Sequence, residues 1–277
     1  SAMSNQRAIL LLVNASREEA KGAAETISKI LVAAGIKIYT PADSDIPSVE
    51  VVLVLGGDGT ILRGAEFALK ENVPLLGINL GHVGFMAEVE AFTFEKVAQA
   101  VIDKDYVLDP RMLLTFQVKR GKNIIDQGWA LNEISIERKS TTMAELFVQI
   151  DDRPLSRWGC DGIICATPTG STAYAFSAGG PVLWPEVQAL VLLPIAAHAL
   201  FARPMVIAPS STIIVTIEST DATLSADALR KMDLQKDDQV SLTKNDAQVT
   251  LAHLKSTIFT DRLVAKFKLP IEGWRGE

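Results

Sequence analysis

An α/β N-terminal domain of Rossmann-like type, followed by an all-β sandwich, is the fold class this 277-residue chain predicts. Up to about residue 110, short β-branched apolar runs alternate with helix-length amphipathic stretches. That alternation implies a parallel sheet covered on both faces. After Pro110, strand-like runs separated by polar turn residues take over and helical periodicity nearly vanishes, the texture of two stacked sheets. With 48% apolar residues, a chain of this length is better read as two modest cores than as one large one.

Each element follows in order. Residues 8–13 are a buried-type strand. Ser16 and Glu19 have capping-box spacing and open a helix that ends near Gly35, before a short strand at 36–39. A strand at 51–55, a helix at about 60–71, a strand at 73–78 and a helix at 94–102 complete the first domain. Beyond it, 113–118, 124–137, 145–150, 213–218, 239–242 and 249–254 read as strands. Arg120-Gly121-Lys122-Asn123, Asp151-Asp152-Arg153-Pro154 and Lys244-Asn245-Asp246 supply the turns.

A formal net charge of −6 argues against a nucleic-acid platform, whose phosphate contacts need a basic face. The only cysteines, Cys160 and Cys165, are five apart and would point to opposite faces of one strand. They read as reduced packing residues of a cytoplasmic protein, too few for a structural zinc site. No signal peptide is visible, and Ser1-Ala2-Met3 looks like an expression scar. The longest apolar stretch, 189–202, contains Pro194 and His198 and is too short to span a bilayer. His198, in apolar company, reads as a satisfied core histidine.

The chemistry concentrates where the apolar run 51–55 stops at Gly56-Gly57-Asp58-Gly59-Thr60. A strand ending in a glycine-rich turn under a helix start offers bare backbone N–H groups and the positive end of a helix dipole, a cradle for a phosphate chain. Asp58 would repel phosphate there unless it receives a proton from an attacking hydroxyl or holds a magnesium ion. The plainer alternative is a tight turn. Neither a P-loop nor the Gly-x-Gly-x-x-Gly fingerprint is present.

Two further constellations stand out. Cys160 to Tyr174 contains Asp161 and the run Thr167-Pro168-Thr169-Gly170-Ser171-Thr172-Ala173-Tyr174, with Ser177 beyond. Its hydroxyls and amides suit a diphosphate or ribose and its tyrosine a stacking face; a Ser/Thr-rich loop capping a helix at Ser171 or Thr172 is the alternative. Asn132-Glu133 interrupts a strand pattern with a pair that can grip ribose hydroxyls or a base edge, unless it lies exposed on an edge strand.

Taken together, these three sites resemble the NAD kinase family, over roughly residues 50–265 and in the style of its actinobacterial members. The loop from Gly81 to Phe85 and the lead-in Trp158-Gly159-Cys160-Asp161-Gly162 resemble it too. Gly-Gly-Asp-Gly alone is shared with diacylglycerol and sphingosine kinases; the threonine-proline run is far more specific. The resemblance implies transfer of the terminal phosphoryl group of ATP, or of inorganic polyphosphate, to the 2′-hydroxyl of the adenosine ribose of NAD, with a divalent metal, magnesium by expectation. It implies an α/β domain (4–110), a β-sandwich NAD-binding domain (111–260) with the active site between them, and a tail (261–277) packing back on the first. Homo-oligomers, dimers or tetramers, are implied as well.

Carried over residue by residue, Asp58 becomes the proton acceptor, and Gly56, Gly57, Gly59 and Thr60 line the phosphoryl donor. Asn132 and Glu133 hold the nucleoside, Asp161 a nearby polar group, and Thr172, Ala173, Tyr174 and Ser177 the dinucleotide. Asp58 and Gly59 also face NAD, Arg63 meets phosphate and Phe85 forms an apolar wall. Arg63 as a solvated helix-face residue and Phe85 as core are the rival readings. The family commonly carries Asp-Gly in its later β region, where this chain has Asp227-Ala228; alanine disfavours a positive-φ turn, so contacts from that loop are not assigned. A lipid kinase would need a basic amphipathic entrance that the sequence lacks, and a non-catalytic NAD(H)-sensing module would have no use for an intact Asp58.

Overall fold

The computed structural model describes residues 5–80, 93–254 and 258–273. The chain divides into two compact units, residues 1–110 with 249–277, and residues 111–248.

In the first unit, strands β1 (Ala8–Val13), β2 (Lys37–Tyr39), β3 (Val52–Leu55) and β4 (Leu75–Ile78) form a parallel sheet in the order β2-β1-β3-β4. Helices α1 (Glu18–Ala33), α2 (Asp58–Glu71) and α3 (Phe94–Asp103) alternate with them. Ile9, Leu11, Leu53, Leu55, Leu76 and Ile78 share a core with Ile27 and Leu31 of α1 and Val97 and Val101 of α3. α2 covers the other face: a Cβ on Gly64 would lie 2.7 Å from Val54 and 3.1 Å from Leu75 side-chain atoms, so the missing side chain lets that helix approach. The sheet is therefore wound on both faces, and its order reverses between β1 and β3. In such sheets ligands bind beyond the carboxyl ends of the strands at that reversal. β3 ends there, immediately before Gly56.

Two helix starts differ from the sequence pattern. The capping box does not form: Arg17 is the N-cap of α1 and its side chain makes no capping bond. Ser16 instead donates its hydroxyl, at 2.7 Å, to Asn14 Oδ1, a local turn that competes with capping. α1 ends as expected, with Gly35 at φ +83°. α2 begins two residues before the expected Thr60, which puts Asp58 inside its first turn.

The second unit contains two antiparallel arrays. One runs β9 (Arg153–Cys160), β8 (Ala144–Ile150), β13 (Ile213–Ile217) and β16 (Gln239–His253), accompanied by the hairpin of β5 (Val107–Arg120) and β6 (Asn123–Ala130). The other has the order β12-β11-β10-β7-β14-β15, formed by β7 (Glu133–Glu137), β10 (Gly162–Ala166), β11 (Leu190–Ile195), β12 (Met205–Ile207), β14 (Asp221–Ala226) and β15 (Arg230–Gln235). Leu114, Ile134, Leu146, Val148, Trp158, Ile163, Leu192, Val215 and Leu224 pack together between the layers. Between β10 and β11 lie a 3₁₀ turn (Thr169–Thr172) and the single-turn helix α4 (Tyr174–Ser177).

Four expectations are corrected here. The expected turn at 244–246 is absent: β16 is continuous, pairing with β13 at Gln239–Leu242 and with β4 at Leu251–Ala252. Its last residues therefore belong to the first unit, as does the closing helix α5 (Phe259–Phe267), whereas 111–260 had been expected as one domain. The cysteines lie on different strands, and both point into the same core rather than to opposite faces. Both are free, and burial pushes Cys160 up to about 11 and Cys165 up to about 12, so neither is a nucleophile at neutral pH. His198 is exposed, not a core residue, in the loop after β11, where its N–H donates to the Gly159 carbonyl at 2.9 Å. No helix among the described residues is long and apolar enough to cross a membrane.

Candidate active site

In the first unit the glycine turn follows from strand and helix geometry. Gly56 donates its N–H to the Ile78 carbonyl at 3.0 Å and is still part of the ladder. A Cβ at Gly56 would lie 2.8 Å from Thr60 Oγ1 and 3.2 Å from Asn14 Cβ, so this position must stay bare. Gly57 is the N-cap of α2, and its carbonyl accepts from the Thr60 and Ile61 N–H groups, both at 3.1 Å. Gly57 and Gly59 have nothing within 4 Å of where a Cβ would stand. Their glycines leave the first-turn N–H groups open to approach, an anion-binding arrangement. Asp58 is half-buried in that turn, and Arg63 is exposed one turn further along α2. Phe85 and the loop from Gly81 lie outside the described residues.

In the second unit the threonine-proline run is a rivet. Thr167 donates its hydroxyl to the Leu131 carbonyl and accepts from Gly170 N–H at 3.1 Å, while its own N–H meets the Asn132 carbonyl at 3.0 Å. Thr169 Oγ1 accepts from Arg111 at 3.0 Å, and Ser171 donates to the Pro168 carbonyl at 2.7 Å and accepts from Leu183 N–H at 2.9 Å. A Cβ on Gly170 would sit 1.8 Å from the Asn132 carbonyl oxygen. The motif's buried hydroxyls are thus bonded within the fold, and neither Ser171 nor Thr172 caps α4, whose N-cap is Ala173. What the rivet presents outward is Thr172, Ala173, Tyr174 and Ser177.

Asn132 and Glu133 are both buried, each 7% exposed, and not placed on a solvent-facing edge. Their backbone is held by a residue left unassigned above. The Asp227 carboxylate, 3% exposed, accepts from the N–H groups of Leu131 at 2.8 Å, Asn132 at 2.7 Å and Glu133 at 3.2 Å. Asp227 and Ala228 both adopt the left-handed conformation, at φ +55° and +56°, so the turn between β14 and β15 forms despite the alanine. The bonds from Asp227 over-determine it.

Glu133, Ser135, Glu137, Tyr174, Ser225 and Lys231 line a cleft of about 380 Å³ on the outer face of the β7 layer. The alternation Glu-Ile-Ser-Ile-Glu along β7 turns its polar side chains to this cleft and its isoleucines to the core. Burial first, and the Asp227 charge second, push the Glu133 carboxyl up to about 7; the Tyr174 backbone N–H opposes them. Burial, and then Glu137 within hydrogen-bonding reach, push the Tyr174 phenol up to about 12. Asp161 borders an adjoining cleft that also reaches Tyr174, with its carboxylate 3.0 Å from Arg138 Nε.

Residues 42–106 match the family model described as the ATP-NAD kinase N-terminal domain, and residues 131–254 match the ATP-NAD kinase C-terminal domain. The NAD kinase of Thermobifida fusca is 42% identical, across 98% of this chain and 92% of the relative. This chain belongs to the NAD kinase family. Its fold is similar to that of yeast NADH kinase complexed with NADH, with TM-score 0.81, 24% identity, and 98% and 89% of the two chains covered. An NAD kinase from Archaeoglobus fulgidus in complex with ATP gives TM-score 0.71 at 27% identity, over 95% of this chain and 98% of the other.

Within this NAD kinase fold, the structure gathers Glu133 and Tyr174 at one cleft and Tyr174 and Asp161 at its neighbour, while Gly56 to Thr60 form the other constellation in their own unit. The sequence reading left Asp227 unassigned because of Ala228, and missed the hydroxyl floor of Ser135, Thr223 and Ser225. The alternating polar residues of β7 were a visible signal; nothing in the sequence marked Asp227 as buried. No group of three His, Cys, Asp or Glu gathers among the described residues.

Proposed function

We propose that the chain is an NAD kinase, a phosphotransferase with an alcohol acceptor that uses ATP to convert NAD to NADP. The relationship to a curated NAD kinase over 98% of the chain carries this reading. In the proposed reaction the 2′-oxygen of the adenosine ribose attacks the terminal phosphorus of magnesium-bound ATP, the bond to the bridging oxygen breaks, ADP leaves, and Asp58 takes the hydroxyl proton. An ordinary carboxylate is a weak base for a sugar hydroxyl, so the proton moves late, once bonding to phosphorus has acidified the oxygen. Before that, Asp58 orients the hydroxyl.

Gly56, Gly57, Gly59 and Thr60 would receive the donor phosphates on open N–H groups and Arg63 would meet them from α2. Because such a cradle reads phosphate rather than base, inorganic polyphosphate is proposed as a second donor. Asn132 and Glu133 would hold the nucleoside, Asp161 a further polar group, and Thr172, Ala173, Tyr174 and Ser177 the remainder of the dinucleotide. The proposal extends to a cytoplasmic homo-oligomer, dimer or tetramer, supported by the exposed apolar side chains of Trp184, Leu200, Phe201 and Val206. The deciding experiment incubates the purified protein with NAD and either ATP or polyphosphate and follows NADP through a coupled dehydrogenase. NADP is expected with ATP; its absence with both donors would remove the reading.

A further inference from the structure

Asp227 lies in the tight turn between β14 and β15, 96 residues from Leu131, yet its carboxylate collects three consecutive backbone N–H groups that lead into Asn132-Glu133. Two residues in the left-handed conformation hold it there. Arg230 approaches its other side, with Nη2 3.4 Å from Asp227 Oδ2 and the guanidinium stacked 4.5 Å above the Trp129 ring. We propose that Asp227 is a positioning residue for the nucleoside site: its carboxylate fixes the backbone of Asn132-Glu133 and couples its own charge to the Glu133 side chain. This rests on the NAD kinase reading and adds to it a proton-linked grip on the ribose.

The electrostatic partners of Glu133 are identifiable on each neighbouring element. Asp227 presents a negative charge from the β14–β15 turn, and α4 presents the Tyr174 N–H. Glu137 follows on its own strand, Arg138 and Lys139 follow at the end of that strand, and Lys231 lines the same cleft from β15. Across the ladder, the β10 partner of Glu133 is Ala166, which brings no charge. Burial raises the Asp227 carboxyl, and the three N–H bonds and Arg230 pull against that rise, while burial and the neighbouring Asp227 charge together push Glu133 up to about 7. An ionised Glu133 accepts from ribose hydroxyls with both oxygens; a protonated one does not. Affinity for NAD is therefore full above about pH 7 and lost as pH falls through that value.

The test measures KM for NAD and kcat between about pH 6 and 9 in the wild type, Asp227→Asn, Arg230→Gln and Glu133→Gln. In the wild type KM is expected to rise on the acid side of about 7, and in Glu133→Gln that inflection should vanish. Asp227→Asn, which is isosteric and removes the charge, should raise KM at alkaline pH about tenfold with a much smaller change in kcat, and move the inflection to lower pH. Arg230→Gln keeps the three N–H bonds but removes the compensating cation, so its inflection should move the opposite way. Inflections that stay at the wild-type position in both variants, even with lowered melting temperatures, would reduce Asp227 to a structural residue and overturn the proposal. So would an inflection that survives in Glu133→Gln. A wild-type protein that forms no NADP at any pH would instead remove the NAD kinase reading.

Discussion

The two glycine-containing turns of this chain look alike in sequence and do opposite things. Around Asp58 the glycines keep the surface bare: Gly57 and Gly59 have open space where side chains would project. Around Gly170 the glycine is a packing residue, with the Asn132 carbonyl where a side chain would begin. The hydroxyls divide in the same way, since Thr167, Thr169 and Ser171 are buried and internally bonded while Thr172 is half-buried with one long bond, 3.4 Å, to the Thr169 carbonyl. A phosphate or ribose needs donors that the protein has not already used. The bare turn can therefore bind, and the riveted one can only present its neighbours.

The largest expected effect breaks the comparison at its chemical end. Asp58→Asn should keep the fold and lower turnover about 10²–10⁴-fold in the coupled NADP assay; turnover near wild type would exclude Asp58 from proton transfer. Next comes the paired glycine experiment. Gly170→Ala should destabilise the protein by about 3 kcal/mol or more, seen as a lowered midpoint in denaturant, because its methyl meets backbone that cannot swing aside. Gly57→Ala should leave that midpoint within about 0.5 kcal/mol of wild type and lose activity instead. If both variants lost stability equally, the distinction between bare and riveted turns would fail.

A hydroxyl pair sharpens the comparison further. Thr167→Val removes a buried donor and acceptor and should cost about 1–3 kcal/mol, whereas Thr172→Val should change stability by less than about 0.5 kcal/mol. The smallest effect concerns the turn at Asp227. Ala228→Gly relieves a left-handed alanine and should stabilise by about 1 kcal/mol, measured as a rise in thermal midpoint.

The first unit was largely legible because its signals are local. Five apolar residues before a glycine turn can only be a buried strand there, and the spacing of Ala20, Ala23, Ile27 and Leu31 marks one helical face. Element edges were less legible: Asn14 outcompeted the capping box for Ser16, and α2 reached back over Asp58. In the second unit, β9 was hidden by Arg153-Pro154, which reads as a turn, and β11, β14 and β15 by the mixed company of short strands. Of the site residues, Asn132 and Glu133 were visible as polar interruptions of a strand pattern, Asp58 through its glycine turn, and Tyr174 at the end of the threonine-proline run. Asp227 stood out only through the resemblance and was set aside, because alanine in place of glycine argued against the turn that in fact forms.

Residue order alone therefore carried the strand–helix alternation, the change of texture near Pro110, the glycine turn and the family motifs, since all of these are set by neighbours within a few positions. Folding decided which polar groups remain available to a ligand. That depends on contacts between distant segments: Gly170 against Asn132, and Asp227 on backbone N–H groups up to 96 residues away. Burial and charge pairing, which set the protonation of Glu133, exist only once those segments meet.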